Sequence, residues 1–232
     1  MPPVVQATGL HGPIISANGA IGVKFADTWN RPEIFLQFPI PPDVARAAIA
    51  EIRVAVPDAI FAVETSDGLR TGPGYEEARG TGPREGLTPI RRAVTVTRSV
   101  EEMLDGGEVI KLVAISPESA PDQLLEIGRD RVGHLVSVTR SSTGRALLEL
   151  GAQGVTKAST LELFAQSRGI SPAEVIAFGD MPNDVEMLRW AGCGFAMRGG
   201  HPEALAAADL TAPPAEEDGV AQVLEKVLAL RA

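Results

Sequence analysis

An α/β fold built on a parallel, doubly wound sheet is the fold class that the sequence predicts. Strand and helix patterns alternate from Lys157 onward, and repeated strand-helix-strand units form parallel sheets. Between Asp27 and Leu150 the patterns follow no such repeat, which predicts an inserted α+β domain. We therefore assign residues 1–26 and 151–232 to a parallel core and residues 27–150 to the insert.

The composition is that of a globular protein. With 232 residues, 44% of them hydrophobic, the chain can bury a sizeable core. The net charge of −9 argues against a nucleic-acid partner, because phosphate backbones bind basic surfaces. The single cysteine, Cys193, excludes an internal disulfide and fits a reducing compartment. No signal-peptide pattern or bilayer-length apolar run is present, so we expect a cytoplasmic protein with no membrane partner.

The predicted core elements follow one another closely after residue 156. Gly169 is expected to end the first helix, and an apolar stripe marks the last one. In chain order they are a helix over 156–168, a strand over 175–178, a helix over 183–191, a strand over 194–197, a helix over 202–208, a strand over 210–212 and a closing helix with Val220, Val223, Leu224, Val227 and Leu228 in its stripe.

The insert has its own pattern of elements. Ser99 and Glu102 have the spacing of a capping box, which predicts a short helix there. The remaining predictions are a helix over 42–56, a strand over 60–63, a long Gly/Pro-rich loop over 66–89, a strand over 109–115, a helix over 121–132 and strands over 135–139 and 146–150.

The segment 12–20 is a short apolar strand that ends in an Asn18-Gly19 turn. This pattern is typical of a hairpin turn. It equally fits a core strand whose carboxyl end faces the same crevice as Asp180, with Gly19 permitting close backbone approach. The sequence leaves both alternatives open.

The stretch Gly179-Asp180-Met181-Pro182-Asn183-Asp184 joins a buried apolar strand to a helix. A tight turn there presents two carboxylates and an amide at the carboxyl end of a strand, where ligands of open α/β sheets bind. A helix N-terminus favours phosphate and the carboxylates favour a hard cation such as Mg²⁺. We therefore predict a metal-assisted phosphoryl-transfer site; the alternative is a turn in which Asn183 and Asp184 only cap the helix.

Three motifs, in this order along the chain, resemble the Cof-type branch of the haloacid dehalogenase (HAD) superfamily. They are Ser16-Ala17-Asn18-Gly19-Ala20, the lysine of Gly154-Val155-Thr156-Lys157-Ala158, and the stretch from Gly179 to Leu188. The resemblance covers nearly the whole chain and is specific for the family, not for the substrate. It implies a Rossmann-like parallel core with the insert as an α+β cap of the C2 type. It also implies Mg²⁺-dependent phosphatase activity on small phosphorylated metabolites.

The resemblance assigns the catalytic and metal roles. Asp180 would be the carboxylate ligand of Mg²⁺, and Asp184 would support the water shell of the metal. Lys157 would neutralise the substrate phosphate and the attacked aspartyl group. A lysine in the first turn of a helix opposes the helix dipole, and this misfit favours the functional role over that of a solvated surface residue.

The resemblance also assigns the phosphate-binding residues. Asn183 would donate a hydrogen bond to the phosphate or orient the loop, and Asn18, Gly19 and Lys157 would complete the set.

The family's chemistry needs one further element, an Asp-x-Asp at the end of the first strand. Its first aspartate attacks phosphorus and becomes an aspartyl-phosphate, and its second protonates the leaving group. No Asp-x-Asp occurs in this sequence. We expect that the segment either lies upstream of Met1, the sequence being truncated, or has been lost. Without that central strand we expect an exposed sheet edge that requires a partner, a rearranged core or a homo-oligomer.

Three functions follow as hypotheses. The first is a phosphatase that hydrolyses a small phosphate ester through an aspartyl-phosphate. The second is a non-catalytic anion-binding, metal-binding or interaction protein that retains Lys157, Asp180 and Asn183. The third is a phosphotransferase or phosphomutase on the same scaffold.

Overall fold

The structure, a computed structural model, describes residues 12–25, 32–65, 68–80, 94–105, 107–141 and 144–230. The chain divides into two compact units, Met1–Val155 and Thr156–Ala232. The assignment of residues 1–26 to the same domain as residues 151–232, with residues 27–150 as a cap, stays a prediction.

The first unit begins with an antiparallel three-stranded sheet of β1 (Ile14–Ser16), β2 (Ile21–Phe25) and β3 (Pro32–Gln37). A 3₁₀ turn, Ala17–Gly19, joins β1 to β2 and sets Ser16 opposite Ile21. The structure thus forms the hairpin that the Asn-Gly pair indicates.

A six-stranded mixed sheet is the main element of the first unit. All its neighbouring strands are antiparallel except β5 and β6, which are parallel. Its strands are β4 (Ile60–Thr65), β5 (Leu69–Thr71), β6 (Val94–Val96), β7 (Val109–Ile115), β8 (Val136–Thr139) and β9 (Leu147–Ala152). Across the sheet they lie in the order β6, β5, β4, β7, β9, β8.

The helices of the first unit cover the two faces of this sheet unequally. They are α1 (Pro42–Ala55), α2 (Tyr75–Arg79), α3 (Val100–Leu104) and α4 (Pro121–Val132). Because alternate residues of a strand face opposite sides, Phe61 and Val63 of β4 join the large core with α1, α3 and α4, whereas Ala62 packs in a smaller cluster with Tyr75 of α2.

The second unit contains a parallel sheet in the order β10 (Ile176–Gly179), β11 (Cys193–Met197), β12 (Leu210–Ala212). Its helices are α5 (Lys157–Ser167), α6 (Val185–Trp190), α7 (Pro202–Ala207) and α8 (Gly219–Ala229). The predicted α/β class with a parallel core is confirmed, since strands and helices alternate here as the sequence pattern indicates.

One prediction about an element is wrong, and another differs in detail. The stretch over 66–89 was expected to be a loop, yet its described part, 68–80, contains β5 and α2. Pairing with β4 holds β5 extended despite the flanking glycines, a tertiary effect that local composition does not show. Residues 66–67 and 81–89 of that stretch lie outside the described residues. The helix predicted over 183–191 is present, but its first turn, Pro182–Asp184, is a 3₁₀ turn that precedes α6.

Candidate active site

The candidate site begins at the carboxyl end of β10. Asp180 directly follows this strand and is exposed. Because β10 and β11 are parallel, their carboxyl ends share one edge of the sheet, and that edge is where open α/β sheets bind ligands. Asp180 therefore lies at the carboxyl end of a strand, as the sequence predicts.

The backbone of Asp180 is fixed on both sides. The N–H groups of Asp180 and Met181 donate to Oδ2 of Asp184 over 3.0 Å and 3.1 Å. The carbonyl of Asp180 accepts from the N–H of His201 over 2.7 Å. A Cβ on Gly200 would lie 2.9 Å from that carbonyl oxygen, so the next loop also packs tightly here. An exposed carboxylate on a fixed backbone is the arrangement that a preorganised ligand needs.

Asp184 organises this turn from a buried position. It is 4% exposed, and its Oδ1 accepts from Nζ of Lys157 over 2.6 Å. Its side chain lies against the Cα of Gly179, where an added Cβ would be 2.4 Å from Asp184 Cβ. Glycine at position 179 is required by this close approach and not by an unusual backbone angle.

Lys157 is the first residue of α5 and is brought to Asp184 by the start of that helix. Thr156 caps the helix, its hydroxyl accepting from the N–H of Ser159 over 3.1 Å. The helix dipole disfavours a cation at this end, and the ion pair with the buried Asp184 offsets that cost. The structure thus brings Lys157, Asp180 and Asp184 together within one unit.

Asn183 lies in the same 3₁₀ turn, Pro182–Asp184, and is partly buried. Asp184 makes no capping hydrogen bond to α6 itself, but its side chain completes a capping box at the start of the 3₁₀ turn by accepting from the N–H of Met181. Asp184 does more than cap, since its Oδ1 accepts from Nζ of Lys157 and its Oδ2 also accepts from the N–H of Asp180.

Asn18 and Gly19 lie in the first unit, in the turn after β1. Nδ2 of Asn18 donates to Oε2 of Glu149 over 3.1 Å. Gly19 is buried. The predicted roles of Asn18 and Gly19 in substrate binding stay predictions.

Sequence reasoning missed a charged cluster on the six-stranded sheet, which we call the Lys111 cluster: Glu64, Lys111 and Glu149. Nζ of Lys111 lies 2.8 Å from Oε1 of Glu149 and 3.2 Å from Oε2 of Glu64. Burial acts to raise the pKa of Glu149, but the Lys111 ammonium and hydrogen bonds from Lys111, Ser141 and Asn18 outweigh it, and the pKa is lowered. The signal was present in the sequence for two of the three, since Lys111 and Glu149 each interrupt an otherwise apolar strand.

The residues of the second unit fit a magnesium ion by the chemistry of their donors. Mg²⁺ is commonly bound through one or two carboxylates, with water and phosphate oxygens completing its shell. Asp180 supplies an exposed carboxylate, while the oxygens of Asp184 already accept hydrogen bonds. Within the described ranges, no group of three or more His, Cys, Asp or Glu side chains is arranged to hold a metal.

Among the helices of the described residues, none combines the length and apolar character needed to cross a bilayer.

The family model of the haloacid dehalogenase-like hydrolases matches residues 1–224 of the chain. The chain belongs to the haloacid dehalogenase-like hydrolases. The predicted membership of the Cof-type branch is thereby confirmed, as is the expected fold class. A solved haloacid dehalogenase-like hydrolase from B. subtilis is similar in fold, with a TM-score of 0.76 over 96% of this chain and 82% of that one at 21% identity.

Two curated relatives of this haloacid dehalogenase-like hydrolase are named as phosphatases. The phosphoglycolate phosphatase of Methanoculleus marisnigri is 37% identical over 114 residues, 49% of this chain and 47% of that protein. The 5-amino-6-(5-phospho-D-ribitylamino)uracil phosphatase YbjI of Escherichia coli is 42% identical over 86 residues, 37% of this chain and 32% of that protein. The chain thus covers less than half the length of either relative.

Proposed function

We propose that this haloacid dehalogenase-like hydrolase is a Mg²⁺-dependent phosphatase of small phosphorylated metabolites. The observation that carries the proposal is the constellation of Lys157, Asp184 and Asp180 at the carboxyl end of a parallel sheet. Two relatives that are named as phosphatases of small phosphorylated compounds support the substrate class.

Each residue of the constellation has a separate task in this proposal. Lys157 places a compact positive charge where phosphate charge must be neutralised, and Asp184 fixes that ammonium over 2.6 Å. Asp180 would hold Mg²⁺, which when bound polarises the phosphoryl oxygens. Asp184 also fixes the backbone of Asp180, so it acts on the metal site through the turn.

Phosphate binding is proposed for Asn183 and Lys157 of the second unit and, separately, for Asn18 and Gly19 of the first unit. Hydrolysis through an aspartyl-phosphate would need an aspartate nucleophile and an acid for the leaving group. No Asp-x-Asp pair of this sequence supplies them.

That departure favours a second candidate function, a non-catalytic protein that binds phosphate or Mg²⁺ with the same residues. The two candidates differ in turnover and not in ligand. Cytoplasmic location and a homo-oligomer remain proposals under either function.

The deciding experiment measures phosphate release from an aryl phosphate with and without Mg²⁺. We expect Asp180→Ala to abolish metal-dependent turnover while the protein stays folded, because Asp180 is exposed. Glu186→Gln, an exposed carboxylate on α6, is the matched control and should leave turnover unchanged.

Turnover that survives Asp180→Ala would contradict the metal assignment. Wild-type protein that binds inorganic phosphate but releases none from any ester would establish the non-catalytic alternative.

A further inference from the structure

The turn Ala17–Gly19 has a backbone that its sequence does not favour. Its φ angles are 52° at Ala17, 57° at Asn18 and 103° at Gly19. Glycine adopts positive φ readily and asparagine tolerates it, but alanine does so at a cost. The turn is closed by the N–H of Ala20, which donates to the carbonyl of Ala17 over 3.1 Å. Such a conformation persists only where surrounding groups hold it.

Glu149 is one of the groups that hold this turn. Its Oε2 accepts from Nδ2 of Asn18 over 3.1 Å, across a separation of 131 residues in the sequence. Glu149 belongs to β9, inside the six-stranded sheet, and is 8% exposed. A hydrogen bond to a buried, ionised acceptor is among the stronger ones in proteins.

The Lys111 cluster keeps Glu149 in place. Its other oxygen, Oε1, accepts from Nζ of Lys111 over 2.8 Å, and Lys111 also pairs with Glu64 over 3.2 Å. The three residues lie on the adjacent strands β9, β7 and β4, whose ladders fix their spacing. The two oxygens of Glu149 therefore have separate tasks, one within the sheet and one at the turn.

We propose that Glu149 is a positioning residue, which holds Asn18 and thereby keeps the Ala17–Gly19 turn in its phosphate-binding conformation. The inference rests on the proposed function, because that function assigns phosphate binding to Asn18 and Gly19. It adds a requirement that the sequence motif does not contain: an acceptor on the insert, far along the chain, must be present for the turn to work.

A purely structural role for Glu149 predicts a different outcome. In that case Glu149 would only pair with Lys111 within the sheet, and its hydrogen bond from Asn18 would have no effect on the turn. A buried ion pair of this kind often contributes little net stability, although loss of one partner is costly. If Glu149 served only the sheet, its loss would lower stability without changing the turn or the affinity for phosphate.

The test follows the turn and the ligand separately in isotope-labelled protein. Hydrogen exchange at the amide of Ala20 reports opening of the turn, because this amide closes it. Titration with inorganic phosphate, followed at the amides of Asn18 and Gly19, reports binding. For Glu149→Ala we expect exchange about tenfold faster and phosphate affinity about tenfold weaker, the loss of one charge-assisted hydrogen bond.

Two further variants distinguish a role of Glu149 in the turn from a role in the sheet. Glu64→Gln is the matched control: it alters the Lys111 cluster but leaves the acceptor of Asn18, so both readouts should stay at wild-type values. Glu149→Gln retains an acceptor oxygen and should recover part of the loss. Should Glu149→Ala not fold, Asn18→Gly removes the same hydrogen bond without backbone strain. Its readout is the exchange of the Ala20 amide alone, because Asn18 is itself assigned to phosphate binding.

Ala20 exchange that is unchanged in the folded variants would overturn the inference, as would an equal loss of affinity in Glu64→Gln. Failure of the proposed function has a different signature, because it shows in the wild-type protein: no phosphate is released from esters, and if the binding assignment also fails, no inorganic phosphate is bound.

Discussion

Asp184 shows how much a single side chain contributes at the scale of the residue. Its two oxygens accept three hydrogen bonds, from the backbone of Asp180, the backbone of Met181 and the ammonium of Lys157. Because the residue is buried, these bonds exchange little with water and fix both the turn and the cation. The position of Asp180 thus depends on a neighbour four residues later.

Gly179 leaves no room for a side chain beside Asp184. For Gly179→Ala we expect a loss of about 2 kcal/mol in the free energy of unfolding, because the new Cβ must displace a buried side chain. Urea unfolding measures the loss. Gly144→Ala, where a Cβ would meet nothing within 4 Å, is the control and should change little. Equal stability of both variants would contradict the packing argument.

Lys157 compensates the buried charge of Asp184. We expect Lys157→Met to lower the free energy of unfolding by about 1–2 kcal/mol, since one of the three hydrogen bonds to a buried carboxylate is lost. The lysine itself is one-third exposed, which keeps the effect below that of a fully buried pair. Chemical denaturation should show no such loss for Lys226→Met, an exposed lysine on α8.

At the scale of the element, the start of α5 links stability to the site. Thr156 caps the helix whose first residue is Lys157, so the cap also fixes where the lysine lies. Helices begin where a side chain satisfies their first N–H groups, and here that local rule serves the ion pair with Asp184.

Removing the cap should therefore weaken both the start of α5 and the ion pair of Lys157 with Asp184. For Thr156→Ala we expect a loss of about 1 kcal/mol in stability, and Thr156→Ser should restore most of it because serine also caps. Thermal unfolding of the pair measures this difference. A Thr156→Ala protein as stable as the wild type would mean that the cap does not determine where α5 begins.

The residues of the apolar stripe on the closing helix α8 differ in how deeply they are buried. The predicted closing helix is present and contains all five stripe residues, yet Val223 is 8% exposed whereas Leu228 is 66% exposed. Periodicity identifies the apolar face of a helix but not which of its residues are covered.

The two residues should consequently differ on truncation. We expect Val223→Ala to cost about 2 kcal/mol and Leu228→Ala less than about 0.5 kcal/mol, because only the first removes buried contacts. Denaturant unfolding of both variants is the measurement. A large loss for Leu228→Ala would show that its side chain is covered in solution.

At the scale of the whole molecule, acid sensitivity follows from Glu149. Its pKa is lowered from the usual 4.5, so in the folded protein the ionised form is favoured. A lowered pKa contributes stability that is present above pH 4.5 and is lost as the pH falls through the folded-state pKa.

The stability difference between wild type and Glu149→Gln should therefore shrink below pH 4.5, where the wild-type carboxyl becomes protonated. Unfolding free energies measured from about pH 6 to about pH 3 test this expectation. A difference that stays constant over that range would contradict a lowered pKa at Glu149.

The sequence by itself determined the class of fold, the family and the local motifs. Alternating patterns after Lys157 predicted parallel units because each strand and helix there has a strong local period. The Gly-Asp-x-x-Asn-Asp spacing predicted the strand end and the turn, since both are set by neighbouring residues.

Only the tertiary structure decided what these residues contact. Beside the capping bond from Met181, it gave Asp184 a hydrogen bond from the backbone of Asp180 and an ion pair with Lys157, 27 residues away. It also paired Asn18 with Glu149 across 131 residues. Contacts over such separations depend on how helices, turns and strands pack against one another, and no local pattern of hydrophobic and polar residues encodes that packing.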